Sequence, residues 1–239
     1  MDTQHLESPK PKMIAHRGAS ALEMENTASA FVAAGNRSYF GIESDVHRTA
    51  DGKFVIIHDD NTQRVALDHL CIEESTFDTL RAIQLCDKDG KRGRKDLIIP
   101  TLQEYIQICK KYNKVSILEL KNHFEPNDLD AIIKIITEEG WLDNTIFISF
   151  DLPNLVCMRE KLPQQKLQFL IVDYPDWLMD TLLKYQLDLD IHYRSLTEER
   201  VQQLHQAGIE IGVWTVEDLD DARRLFQWGV DYITSNSIE

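Results

Sequence analysis

The chain alternates short apolar, β-branched runs with longer stretches whose apolar positions recur every three or four residues. The first pattern predicts strands buried on both faces, and the second predicts amphipathic helices. Strand-like runs fall at 13–15, 39–46, 115–120, 145–150, 167–172, 187–192, 210–214 and 232–234. Helical patterns separate them. Thr27 or Asn26 can N-cap the first, which ends at Gly35; others cover 76–85, 101–112, 129–139, 152–161, 177–185, 197–208 and 215–228. Thr101-x-x-Glu104 is a capping box, Thr215 and Asp218 suggest another, and Gly140 and Gly229 mark C-termini. Asp51-Gly52 signals a hairpin that returns through 53–57. With that return strand set aside, eight strands alternate with helices, which predicts an α/β protein with a parallel sheet closed into a (β/α)8 TIM barrel. It carries a β-hairpin extension after the second strand, and its final helix is missing or very short.

Length fits one such domain over 12–239, behind a polar, flexible lead-in at 1–11. A hydrophobic content of 43% supplies ample core. The formal net charge of -14 argues against nucleic acid or an anionic membrane as a standing partner. Cys71, Cys86, Cys109 and Cys157 form no CxxC pair and read as reduced thiols. The opening residues hold no apolar signal sequence, and no run approaches the ~20 apolar residues of a transmembrane helix. A cytoplasmic location is the expectation, with a leader removed from the native protein left open. The charged run Asp87–Asp96 reads as a solvated loop, or alternatively as a rim touching a substrate headgroup.

Candidate chemistry concentrates at the ends of the predicted strands, where barrels of this kind carry their active sites. Glu43 and Asp45 alternate onto one strand face, and two neighbouring carboxylates there repel each other. A divalent cation resolves that conflict. Glu119 brings a third carboxylate, and an all-oxygen set suits Mg²⁺ or Ca²⁺ better than zinc. His16 and His58 end two strands beside this cluster and are the candidate acid/base pair. Arg17 and Lys121 suit phosphate oxygens. Asn26 is placed with the substrate-binding set, and Trp214 walls the pocket; the remaining aromatic and apolar residues read as core. A Glu43/Asp45 glycosidase pair is disfavoured, because side chains two apart on one strand sit too close to flank a sugar at ~5–9 Å.

The series His16-Arg17-Gly18, Glu25-Asn26-Thr27, Glu43-x-Asp45, His58-Asp59, Glu119-x-Lys121 and Trp214-Thr215 resembles the glycerophosphodiester phosphodiesterases over nearly the whole chain. The resemblance implies metal-dependent hydrolysis of glycerophosphodiesters to sn-glycerol 3-phosphate and an alcohol. It implies Glu43, Asp45 and Glu119 as metal ligands, His16 and His58 as acid and base in either order, Arg17 and Lys121 on phosphate, and Asn26 supporting the site. The stretch from Asn61 to Thr76 leaves no room for the inserted domain of some members. Expected partners are one divalent cation and a small-molecule glycerophosphodiester, with homo-oligomer formation open. A lysophospholipase D acting on lipids, or a non-catalytic phosphodiester-binding protein, are the alternatives.

Overall fold

The barrel strands are short and mostly buried, and most of them give way to a helix. The computed structural model of the chain describes residues 3–6 and 11–239. Strand β1 (Lys12–Ala15) leads to helix α1 (Ala28–Gly35), β2 (Gly41–Arg48), β3 (Phe54–Ile56), α2 (Phe77–Arg81) and α3 (Leu102–Lys111). Strand β4 (Val115–Leu120), α4 (Pro126–Glu138), β5 (Thr145–Ser149), α5 (Leu152–Lys161) and β6 (Leu167–Ile171) follow. The chain continues through α6 (Leu178–Tyr185), β7 (Asp188–His192), α7 (Glu198–Gln206), β8 (Ile211–Trp214), α8 (Leu219–Trp228) and β9 (Tyr232–Ser235).

The sheet runs β1-β9-β8-β7-β6-β5-β4-β2-β3, and β1 also pairs with β2 in parallel. That last pairing closes the ring. Only β3 lies outside it, antiparallel to β2, and the eight ring strands all run in parallel. The expected TIM barrel with a hairpin after the second strand is therefore the fold. Its interior is filled by a layer including Ile14, Ile117, Ile146, Ile148, Leu170 and Tyr232, and the larger core lies between strands and helices. A separate apolar cluster under β3, with Val55, Ile72, Leu80 and Leu97 at its centre, supports the loop that carries His58.

Several expectations need correction. The helix expected over 76–85 ends at Arg81, because Leu85 pairs with Ala66 in an extended bridge and packs into that separate cluster. Asp218 alone caps α8, since Thr215 belongs to the segment that runs on alongside β9 through Val216 N–H to Thr234 O. The lead-in was expected to be loose. Residues 1, 2 and 7–10 lie outside the described residues, but Thr3–Leu6 are docked: Gln4 bridges Ile238, Leu6 N–H donates to Glu239 O, and Thr3 hydrogen-bonds the Glu239 carboxylate. Leu6 and Ile238 are both buried in the main core, where burial of such a side chain contributes about 1.5–3 kcal/mol. No helix follows β9, and these two side chains occupy the core beside it.

The charged run after residue 86 folds back onto the loop after β1. Lys88 donates to the Ser20 and Ala21 carbonyls, and Arg94 pairs with Glu23 at 2.5 Å. Among the described residues, no helix is long and apolar enough to cross a membrane.

Candidate active site

The loop after β1 begins with two residues in the left-handed region, Arg17 at φ 54° and Gly18 at φ 80°. A side chain at Gly18 would meet Ala30 backbone carbon at 2.7 Å, so only glycine lets the loop press onto α1. The turn aims the Arg17 N–H at Glu43 Oε2, 2.8 Å away, and presents the His16 ring to the barrel mouth. Parallel register then places Asp45 beside Glu119 on adjacent strands. Ligand oxygens of Glu43, Asp45 and Glu119 lie within 4.8 Å of one another, and all three residues are buried.

Three buried carboxylates cannot all stay charged without a counter-charge. Burial, then Asp45 and Glu119, push the Glu43 carboxyl well above the usual range. Burial and Asp45 push Glu119 up to about 8. Asp45 goes the other way: burial opposes its charge, but Lys121 and Arg17 outweigh it and hold the carboxyl well below the usual range. Lys121 Nζ stands 3.5 Å from Asp45 Oδ1 and 2.9 Å from Glu119 Oε1, yet neither oxygen receives a hydrogen bond of good geometry. Orphaned oxygens of buried carboxylates, clustered and all of one hard donor type, fit a divalent cation.

Asn26 was expected among the substrate-binding residues. It is 3% exposed, and its amide is committed to the protein: Nδ2 donates to Asp45 Oδ2 at 2.7 Å, and Oδ1 accepts from Ser44 Oγ at 2.9 Å. Thr27 is the cap of α1, and Asn26 holds the Asp45 carboxylate through that hydrogen bond.

The two histidines are supported differently. His16 Nδ1 lies 2.8 Å from Asn236 Oδ1, while Asn236 Nδ2 donates to Glu217 Oε1. An acceptor at Nδ1 fixes the proton there and leaves the Nε2 lone pair free, 4.0 Å from Glu43 Oε2. Burial, assisted by Arg17, lowers the His16 pKa to about 4. His58 Nδ1 lies 2.6 Å from Asp59 Oδ1 instead. Arg64 clamps Asp59 and also Glu25, which in turn pairs with Arg17 at 2.8 Å. Burial lowers the His58 pKa, and Asp45 and the Asp59 hydrogen bond oppose that shift. Buried His47 approaches the His58 carbonyl through Nε2 at 3.2 Å.

Two connected cavities meet at this point. An outer recess of about 800 Å³ is lined mainly by polar groups, among them Asp60, Asn61, Gln63 and Asn122. An inner pocket of about 110 Å³ is bounded by His16, Arg17, Glu43, Leu170, Asp190 and Trp214, among others. His58, Glu119 and Phe150 line both. Trp214 thus walls the inner pocket, edge-on to Phe150 at 5.6 Å between centroids. Phe150 was expected in the core but is 44% exposed at the mouth. Sequence reasoning missed Asn236, Glu217, Arg64, Asp190 and Phe150. Only the Asp59-to-Arg64 spacing offered any local signal.

Residues 16–239 match the model of the Glycerophosphoryl diester phosphodiesterase family. The chain belongs to that family. A glycerophosphodiester phosphodiesterase of Caldanaerobacter subterraneus is 28% identical over 96% of each chain. Among solved structures, an Oleispira antarctica phosphodiesterase in complex with the product sn-glycerol-3-phosphate superposes with a TM-score of 0.87 at 26% identity, covering 98% of this chain and 96% of that one. A glycerophosphodiester phosphodiesterase from Thermotoga maritima gives 0.77 at 27% identity, covering 97% and 96%. This family member shares with them the barrel on which the geometry above is built.

Proposed function

We propose that this glycerophosphodiester phosphodiesterase family member hydrolyses glycerophosphodiesters to sn-glycerol 3-phosphate and an alcohol with one divalent cation, Mg²⁺ or Ca²⁺, held by Glu43, Asp45 and Glu119. The observation that carries the reading is that His16 and His58 flank a buried cluster of three carboxylates, with Arg17 and Lys121 beside it. The Oleispira antarctica relative, which binds sn-glycerol-3-phosphate as its product, gives the substrate class. A cation bound there would polarise a phosphate oxygen and offset charge that develops in the transition state.

The chain's own groups divide the proton work. His16 borders only the inner pocket, whereas His58 borders both cavities. In-line displacement at phosphorus puts nucleophile and leaving group on opposite sides. His16, neutral with a free Nε2, accepts the proton of the nucleophile, which is water or the substrate's glycerol hydroxyl; in the second case a cyclic phosphate forms and water then opens it to glycerol 3-phosphate. As the new P–O bond forms and the bond to the alcohol breaks, His58 gives its proton to the departing oxygen. Asp59 at Nδ1 favours the charged imidazolium that this role requires. Arg17 and Lys121 neutralise the phosphate.

The polar lining of the outer recess favours a small hydrophilic leaving alcohol over a lipid chain, since Phe150 is its one apolar lining residue. A panel of glycerophosphodiesters and lysolipids, supplemented with Mg²⁺ or Ca²⁺ and read by release of the headgroup alcohol, tests this. Turnover of the water-soluble diesters is expected. Activity on lysolipids alone would favour a lysophospholipase D, and binding without turnover would favour a phosphodiester-binding protein.

A further inference from the structure

Asp190 lies on β7 with its side chain in the barrel, 4% exposed, and it takes no part in the proton transfers above. Its Oδ1 is sealed from solvent and accepts no hydrogen bond. The residue nevertheless lines the inner pocket, where it is the one acidic residue outside the cation triad. Its register partner across the sheet is Gly212, and a Cβ there would stand 2.8 Å from Asp190 Oδ1. Glycine at 212 provides space rather than backbone freedom: it makes room for this carboxyl where it stands. An unsatisfied buried carboxyl costs about 1–3 kcal/mol or more, so its place in a pocket wall calls for a ligand that pairs with it.

The surroundings narrow the choice. Ile148, Leu170 and Trp214 give the pocket apolar walls, and Thr234 of β9 adds a hydroxyl. The pocket's volume of about 110 Å³ suits a short carbon chain rather than a bulky headgroup. A carboxyl accepts a hydrogen bond from a hydroxyl whether ionised or not. We infer that Asp190 is the specificity-determining residue that binds a free hydroxyl of the substrate's polyol end, seating that end in the inner pocket while the leaving alcohol occupies the outer recess. This rests on the proposed reaction for the identity of the polyol as glycerol.

The test compares binding of sn-glycerol 3-phosphate and propyl phosphate, which lacks both hydroxyls, to the Mg²⁺-loaded full chain by calorimetry. The wild type is expected to prefer sn-glycerol 3-phosphate by about tenfold or more. Asp190→Leu, close in shape and free of polar atoms, is expected to reduce that preference to within about twofold while leaving propyl phosphate affinity unchanged. Asp190→Asn, which can still hydrogen-bond, is expected to keep most of it. Thermal unfolding of both variants checks the fold, and removal of an unpaired carboxyl should leave the Asp190→Leu midpoint unchanged or higher. A preference retained in Asp190→Leu, or absent from the wild type, overturns the inference. Binding through Asp190 without turnover of any glycerophosphodiester would contradict the proposed reaction and leave the inference standing.

Discussion

Asn236 Oδ1 accepts the Nδ1 hydrogen of His16 across 2.8 Å, although the two residues are 220 positions apart. β1 and β9 are neighbours in the closed ring, so barrel closure makes this contact. Glu217 holds the Asn236 amide from its other side, which fixes which face of the amide meets the imidazole.

Asn236→Ala should therefore release the His16 tautomer without touching the cation site. A fall in kcat of about 10–100-fold is expected, with KM changed much less. Steady-state kinetics against glycerophosphocholine, with Mg²⁺ affinity measured in parallel, checks this. A variant that loses metal instead of kcat would place Asn236 in a different role.

The assignment of His58 as proton donor depends on the leaving group. A p-nitrophenol ester departs as a stable anion and needs little protonation, so His58→Ala should lose far more rate with a glycerophosphodiester of an aliphatic alcohol. His16→Ala should depress both substrates alike. The reverse pattern would exchange the two roles.

Asn26→Leu removes the donor that Asp45 Oδ2 uses at 2.7 Å. Supporting groups of this kind change metal affinity by about 10–100-fold. Calorimetric titration of chelator-stripped protein with Mg²⁺ should show weaker binding of that order. Unchanged metal affinity with raised KM would return Asn26 to direct substrate contact.

Asp59 gives a pH signature. Hydrogen bonds from Arg64, opposed by burial and joined by His58, lower its pKa from 3.8 to about 2. The unfolded chain then binds more protons than the folded one between those values, so stability rises with pH across that window. The contribution is complete above about pH 4 and is lost as pH falls toward about 2. The stability advantage of wild type over Asp59→Asn, from urea unfolding, should shrink between about pH 6 and about pH 3. An advantage independent of pH would remove the ion pair as its cause.

The sequence made legible what is local or periodic. Strand and helix alternation revealed the barrel, and Glu43 with Asp45 declared a shared face through their spacing of two. His16, Arg17 and Gly18 were readable because one turn must hold all three. What stayed hidden depends on closure of the ring or on volume. Asn236 reaches His16 only once β9 pairs with β1, and Asp190 faces the pocket only because Gly212 leaves it room. Thr3–Leu6 looked like a polar tail, yet backbone pairing of Gln4 and Leu6 with Ser237 and Glu239 draws Leu6 into the core. Asn26 fitted a helix cap or a ligand contact equally well by residue type; the cap is Thr27, and the Asn26 amide hydrogen-bonds Asp45 and Ser44. Phe150 looked like the last residue of a buried strand, and the turn after Ser149 exposes it instead.

The central claim is that three buried carboxylates bind a cation on which diester hydrolysis depends. Glycerol 3-phosphate release from glycerophosphocholine, measured on chelator-stripped protein titrated with Mg²⁺ or Ca²⁺, tests it most directly. The account predicts negligible turnover in the stripped protein, restored saturably by added cation and not restored in Glu119→Gln. Full turnover by stripped protein in excess chelator would contradict it.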